Sequence, residues 1–368
     1  MWIKRKINSG IRKTRRTSYL LWQILTTKRP HISYIGWWAQ TQNLGDKALF
    51  EAVQLLFSQC GFIEYPYETG SIVSASTKMF GIIKCGLLSG GTLIIGSPRA
   101  LKMAKESFPV CKNTVVFGTG VADPSFWAGQ PGWQNTMAQW KPLLERCCYI
   151  GARGPISARI LTGAGINNVE VLGDPILALA DDLPPDNSVC LPKSIGFNIG
   201  RSFGNVWGTE DDICSQFVKL ATLASNAGWK VRWFVVVPDD LEITKTIAKA
   251  TGTDNEIYTI YTDHQQYLDL VRPMSIFVGM KLHAVALATC AYVPSMMLEY
   301  RPKCRDYMSA IGQEDATIRT DEFQADKAWE TIQQWNGQRE VLSKKLFEAI
   351  KPIKNNQFLK AAELLKLL

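Results

Sequence analysis

Histidine is scarce in this chain: three among 368 residues, at positions 31, 264 and 283. Only His283 stands among residues that could do chemistry with it. It comes just after Lys281 and Leu282, which follow the short apolar run SIFVG, and it opens the apolar stretch HAVALATCA. The next β-rich run, VPSMMLEY, is followed by Arg301, Lys303 and Arg305. An imidazole can give and take a proton near neutrality. Clustered cations hold phosphate and carboxylate groups, and an Arg fork holds them through two parallel bonds. Together these residues suit acid–base chemistry on a small anion. Three further places add candidates: Asn43, Gly45 and Asp46 where a helix begins, Gly90, Gly91 and Thr92 at the end of KCGLLSGGTLI, and Arg153 just past CYIGA. Asp46 also suits a plain first-turn acid. His31 lies at a strand entry, and His264 starts a helix, where a capping role suffices.

These residues need a scaffold that gathers them. HISYIGWW (31–38), KCGLLSGGTLI (84–94), TVVFGTGV (114–121), the run ending at Gly151 and VEVLGDP (169–175) read as strands. Leu49, Val53 and Leu56 share one face of a helix after the first strand. A second helix runs through Ser157, Ile160 and Leu161 to a stop at Gly163 and Gly165. Beyond the Pro- and Asp-rich stretch 181–194, strands SIGFNI, KVRWFVVV, EIYTIY, SIFVG and VPSMMLEY alternate with helices at 210–227, 239–251, 264–271 and 282–291. Such alternation calls for parallel sheets covered by helices on both faces. The candidates then fall at the carboxyl ends of strands, where open α/β sheets bind ligands and helix N-termini offer free N–H groups. No GxGxxG fingerprint stands in the strand-to-helix setting it needs, which argues against NAD or FAD.

The same residues carry a resemblance. Lys281-Leu282-His283 after a strand, then a strand ending in Tyr300-x-x-Lys303, resembles the C-terminal signature of the polysaccharide pyruvyl transferase family. Asn43-x-Gly45-Asp46 resembles that family's opening. Ser89-Gly90-Gly91-Thr92 stands where the family has three glycines and Ser or Thr. Arg153, Ser157, Gly165, Asp174 and Pro175 follow its central pattern in order, with Gly154-Pro155 in place of the usual acid. Lys281 replaces the usual Arg. The resemblance spans residues 35–320. It implies two Rossmann-like domains facing across a cleft, in the GT-B manner: a basic arm (1–30), an acceptor-side domain (31–180), a linker (181–193), a donor-side domain (194–320) and C-terminal helices (321–368). It also implies transfer of pyruvate from phosphoenolpyruvate onto two hydroxyls of a sugar, in a polysaccharide or lipid-linked oligosaccharide, with release of phosphate. His283 and Asp46 would be catalytic. Arg153, Lys281, Leu282 and Lys303 would bind the donor. Asn43, Gly45, Gly90, Gly91, Thr92 and Arg305 would line the site. Trp127 and Trp133 suit either a sugar-stacking groove or simple packing. No cofactor or metal is demanded. Two other readings share the shape: a nucleotide-sugar glycosyltransferase, and a non-catalytic glycan- or membrane-binding scaffold.

Composition bounds the partners. Apolar residues make up 46% and charged residues 20%, as in ordinary globular chains. The net charge is +8, yet nine of the 41 basic residues lie in residues 1–45, which hold no acid. The other 32 face 33 acids, a balance of −1. The body of the chain therefore has no general affinity for nucleic acid. Nine Cys without a CxxC pair read as reduced thiols of a cytosol-like compartment. The basic segment before Pro30 also holds Trp2, Tyr19, Leu20, Leu21, Trp22 and Leu25. It suits an anionic membrane surface or an extension packed on the first domain, and its apolar run is too short to span a bilayer. The expected location is cytoplasmic, at the membrane's inner face if the arm binds lipid.

Overall fold

The computed structural model describes residues 2–36, 41–65, 71–94, 98–128 and 136–368. The chain forms two compact units: residues 1–36, 53–175 and 357–368, and residues 37–52 and 176–356.

The first unit is built on a parallel sheet. Its strands are β1 His31–Ile35, β2 Gly61–Ile63, β3 Ile83–Ser89, β4 Thr92–Ile94, β5 Asn113–Val121, β6 Tyr149–Ala152 and β7 Val169–Val171. Their order is β2-β1-β3-β5-β6-β7, with β4 added to β5. β1, β3 and β5 are buried almost throughout, as expected for strands covered on both faces. The chain leaves β1 toward β2 and returns to β3, so the direction of winding reverses between β1 and β3. The basic segment is a helix, Trp2–Thr26. Leu20 and Ile24 enter a small cluster with Ile63, Tyr65, Ile83 and Val110. Gln23 Oε1 accepts the Glu64 N–H at 3.2 Å.

The second unit is also a parallel sheet: β8 Ser194–Asn198, β9 Lys230–Val235, β10 Ile257–Thr259, β11 Ile276–Gly279, β12 Ser295–Glu299 and β13 Thr317–Arg319. The order is β10-β9-β8-β11-β12-β13. Here the winding reverses between β8 and β11. Phe197, Phe217 and Trp233 anchor the core, with Phe197 and Trp233 centroids 5.1 Å apart. In the helix Leu282–Cys290 every residue but His283 is buried. A helix apolar on all sides belongs inside a large unit.

Three features differ from the sequence expectation. The helix Leu44–Leu56 begins in the second unit, although it follows β1 of the first. Leu44, Ala48 and Leu49 enter the larger core cluster, and the Leu44 N–H donates to Val236 O at 3.0 Å. A further strand, β13, extends the second sheet beyond Tyr300. The stretches REVLSKKLFEAI and FLKAAELLKLL, each helical in pattern, form one helix, Arg339–Leu365, running through Pro352. Among the described residues no helix is long and apolar enough to cross a membrane.

Candidate functional site

In the second unit the reversal point lies between the carboxyl ends of β8 and β11, where open α/β sheets form their ligand crevice. Asn198 ends β8. Its Nδ2 donates to Phe234 O at 2.8 Å, and its Oδ1 accepts the Lys281 N–H at 2.9 Å. One side chain thus ties β9, β8 and the turn after β11 together. Lys281 is the N-cap residue of the helix Leu282–Cys290, without a side-chain cap. Its ammonium turns sideways instead. It donates to Arg201 O at 2.7 Å and lies 3.3 Å from Asp240 Oδ1. Asp240 is fully buried, and the same oxygen accepts the Arg201 N–H at 2.9 Å. Burial raises the Asp240 pKa, against the opposing pull of Lys281. The stem of Lys281 crosses Gly200 so closely that a Cβ there would sit 2.0 Å from Cε.

His283 is the half-buried second residue of its helix. Its ring lies directly on Gly45, where a Cβ would fall 1.9 Å from Nδ1. Gly45 belongs to the first turn of Leu44–Leu56, which Asn43 caps: Asn43 Oδ1 accepts the Gly45 N–H at 3.0 Å. Asp46 follows. Burial pushes its carboxyl up to about 6, while Lys303 and the Thr41 hydroxyl pull the other way. Lys303 is in the first turn of the helix Pro302–Ala310, with its ammonium 4.9 Å from the Tyr300 ring centroid. Arg301 lies over the same ring at 5.0 Å and donates to Asn205 O at 2.8 Å. The first turns of three helices therefore carry Asp46, His283 and Lys303, in the electropositive setting that helix N-termini give. Leu282 is 3% exposed and anchors its helix in the core. Arg305 is engaged by Glu299, at 2.8 Å.

In the first unit Arg153 is fully buried. Its Nη1 donates to Gly91 O at 3.2 Å and to Thr92 Oγ1 at 3.1 Å. Gly120 lies against the guanidinium, with room for no Cβ: it would be 2.4 Å from Nη2. Gly90 and Gly91 have φ of 70° and 57°, the left-handed region that glycine enters freely. Thr119 Oγ1 donates to Gly90 O at 2.7 Å. Ser157 Oγ accepts the Val121 N–H at 2.8 Å. Arg153 and Ser157 thus brace the loop after β3 and the end of β5.

The residues singled out from the sequence fall into two groups. Asn43, Gly45, Asp46, Lys281, Leu282, His283, Lys303 and Arg305 are in the second unit; Gly90, Gly91, Thr92 and Arg153 are in the first. Sequence reasoning missed Asn198, Gly200 and Asp240. Their signal was the strand SIGFN closing on Gly200, and the acidic pair Asp239-Asp240 after a strand, both matching the strand-to-glycine and strand-to-polar endings used elsewhere. His264 does not cap its helix: Asp263 Oδ1 accepts the Gln266 N–H at 2.9 Å, and His264 Nδ1 pairs with Glu51 Oε2. His31 is buried in β1, and burial lowers its pKa. Trp127 packs edge-on to Phe126 at 5.0 Å. Trp133 lies outside the described residues.

A family model described as polysaccharide pyruvyl transferase matches residues 43–302, from the cap Asn43 to the residue before Lys303. Comparison with curated protein sequences found no match. Among solved structures the chain is similar to UDP-GlcNAc 2-epimerase from Neisseria meningitidis bound to UDP-GlcNAc, at 11% identity over 91% of this chain and 99% of that one, with a TM-score of 0.57. A glycosyltransferase from Rickettsia africae matches at 9% identity over 91% and 97%, with a TM-score of 0.53. The O-GlcNAc transferase of Thermobaculum terrenum matches at 13% identity over 92% of this chain and 66% of its own, with a TM-score of 0.50. At these identities the likeness concerns the fold alone: two parallel-sheet α/β domains of the GT-B kind, with helices at the C-terminus.

Proposed function

The chain belongs to the polysaccharide pyruvyl transferase family, and from that membership we propose that it moves the pyruvate unit of phosphoenolpyruvate onto two hydroxyls of a sugar. Family membership makes it a polysaccharide-modifying transferase; the donor, the ketal product and the residue roles are our reading. One hydroxyl adds to C2 of the enol as C3 takes a proton and becomes a methyl group. The phosphate then leaves with the C2–O bond electrons, and the second hydroxyl closes the ketal. Of the two hydroxyl protons, one balances the methyl group and the other leaves with phosphate. The oxidation level of the carbon skeleton does not change, so no redox cofactor is required.

The observation that carries this reading is the grouping of Asp46, His283 and Lys303 on three helix N-termini. A carboxyl held at about 6 is matched to taking a hydroxyl proton near neutrality. His283 can exchange the proton that C3 gains. Lys303 and the helix ends suit the charge that builds on the departing phosphate. Lys281, held by Asp240 and the Arg201 carbonyl, fixes the turn that leads into the His283 helix. Arg153 supports the glycine loop of the first unit, which we assign to the acceptor side. The acceptor is a glycan or a lipid-linked sugar. Phosphoenolpyruvate is a metabolite of the cytoplasm, so the reaction belongs there.

Thermal shift with phosphoenolpyruvate, beside UDP-GlcNAc, tests the donor. At a hundred times its dissociation constant a ligand stabilises by about 2.7 kcal/mol. Stabilisation by phosphoenolpyruvate, lost in Lys303→Ala, is the expected result. Stabilisation by the nucleotide sugar alone would overturn it in favour of glycosyl transfer.

A further inference from the structure

The second half of the helix Trp2–Thr26 has two faces of different kinds. Leu20, Gln23 and Ile24 turn inward and are buried. The other side presents Tyr19, Leu21, Trp22 and Leu25, with Trp22 58% and Leu25 79% exposed. Tyr19 and Trp22 stack at 5.9 Å. A neighbouring segment repeats the arrangement. In the helix Ser71–Met79 and the residue that follows it, Val73 packs on the same small cluster as Leu20 and Ile24, whereas Ile72, Met79 and Phe80 are 80%, 72% and 69% exposed. Exposed apolar side chains gathered in this way mark a docking surface.

Charge identifies the occupant. Residues 2–26 hold seven Lys and Arg and no acid. Lys28, Arg29 and Lys78 add to them, and the acid facing Tyr19 is Glu64, which is offset by Arg99. A second copy of the chain would bring these cations against one another. Aliphatic side chains beside Tyr, Trp and Arg match the boundary between acyl chains and headgroups. We infer that this face of the first unit docks on an anionic bilayer surface, with the exposed apolar side chains of both segments inserted and Lys13, Arg15 and Arg16 on lipid phosphates. The inference stands apart from the reading of the reaction.

Sedimentation of the full chain with phosphatidylcholine vesicles, with and without phosphatidylglycerol, tests it. The chain should pellet only with the anionic vesicles, and high salt should release it. Lys13→Gln, Arg15→Gln and Arg16→Gln together should weaken binding by about a hundredfold. Trp22→Ser with Leu25→Ser, and separately Ile72→Ser with Phe80→Ser, should each weaken it by about tenfold. All these positions except half-buried Arg16 are exposed, so the melting temperature should hold and loss of binding can be told from loss of fold. Failure of the full chain to pellet with anionic vesicles overturns the inference. Full binding by the Ile72/Phe80 variant overturns the shared surface. A concentration-dependent dimer abolished by Trp22→Ser would give the face to a second copy instead.

Discussion

A single missing methyl group sets the geometry at His283. Gly45 has no Cβ, and the imidazole occupies the space where one would stand. Gly45→Ala should therefore push the ring aside. The expected cost is about 1–3 kcal/mol in stability, with a larger proportional loss of phosphate release from phosphoenolpyruvate. Asp46 gives a pH signature. Between the ordinary 3.8 and about 6, the folded chain holds a proton that the unfolded chain has released. Stability should fall as pH climbs through that window and level off above it. In Asp46→Asn that slope should vanish from denaturation curves taken across the window. If Asp46 is the base, the acid limb of kcat/KM near pH 6 should vanish with it. Asp240→Asn takes the partner from Lys281. About 2 kcal/mol of stability should go, less than for a fully buried pair because Lys281 keeps some solvent. His283 was singled out in the sequence by its match, with Lys281, Leu282, Tyr300 and Lys303, to the family's C-terminal signature, since a histidine beside an apolar helix alone suits a structural role. Asp240 was not, because an acid after a strand has many duties, and only the sheet order puts β9 beside β8.

At the scale of elements, strand ends were easy to read and helix partners were not. Runs such as SIFVG and KCGLLS end where the apolar pattern meets glycine, and the structure places strand ends there. The face Leu44, Ala48, Leu49 shows that a helix is buried on one side, but the same face fits either sheet. Chain order favoured the first; the bond from Leu44 to Val236 decides for the second. REVLSKKLFEAI and FLKAAELLKLL likewise read as separate helices, and the structure joins them in Arg339–Leu365. Arg153 shows the converse. Its place after a strand suggested a fork for a carboxylate or phosphate of the donor. The structure sets it between Gly91, Thr92 and Gly120 as a brace. Arg153→Ala should cost about 3 kcal/mol through the lost bonds and the cavity left behind. Urea denaturation of the variant checks this. Unchanged stability would mean that the loop after β3 stands without it.

For the whole molecule, two of the four crossings between the units fall inside α-helices, after Ala52 in one and after Asn356 in the other. Residues 41–52 therefore share their fate with β8 and β9 rather than with β1. In hydrogen exchange under native conditions, amides from Ala48 to Ala52 should open with those of β8 and β9, at the same denaturant dependence. Opening with β1 and β3 would contradict the division. The charge map has the same two-part character. The basic residues gather in the N-terminal segment and the rest of the chain is near neutral, a feature fully legible in the sequence. The direction in which that helix turns its aromatic side chains was not, since it depends on which face packs on Ile63 and Tyr65.

The helix Leu282–Cys290 and the strand after it have one more consequence. From Ala284 to Leu298 there is no charged residue at all. In the folded chain this stretch holds His283 and Lys281 in place from within the core. In a newly made or heat-opened chain it is a long, uncharged, apolar segment with nothing to cover it, and such segments self-associate. Recovery from denaturation should therefore fall steeply with protein concentration, and an arginine-containing or chaperone-supplemented buffer should restore it. The residues proposed for the chemistry are thus rooted in the part of the chain least safe to expose.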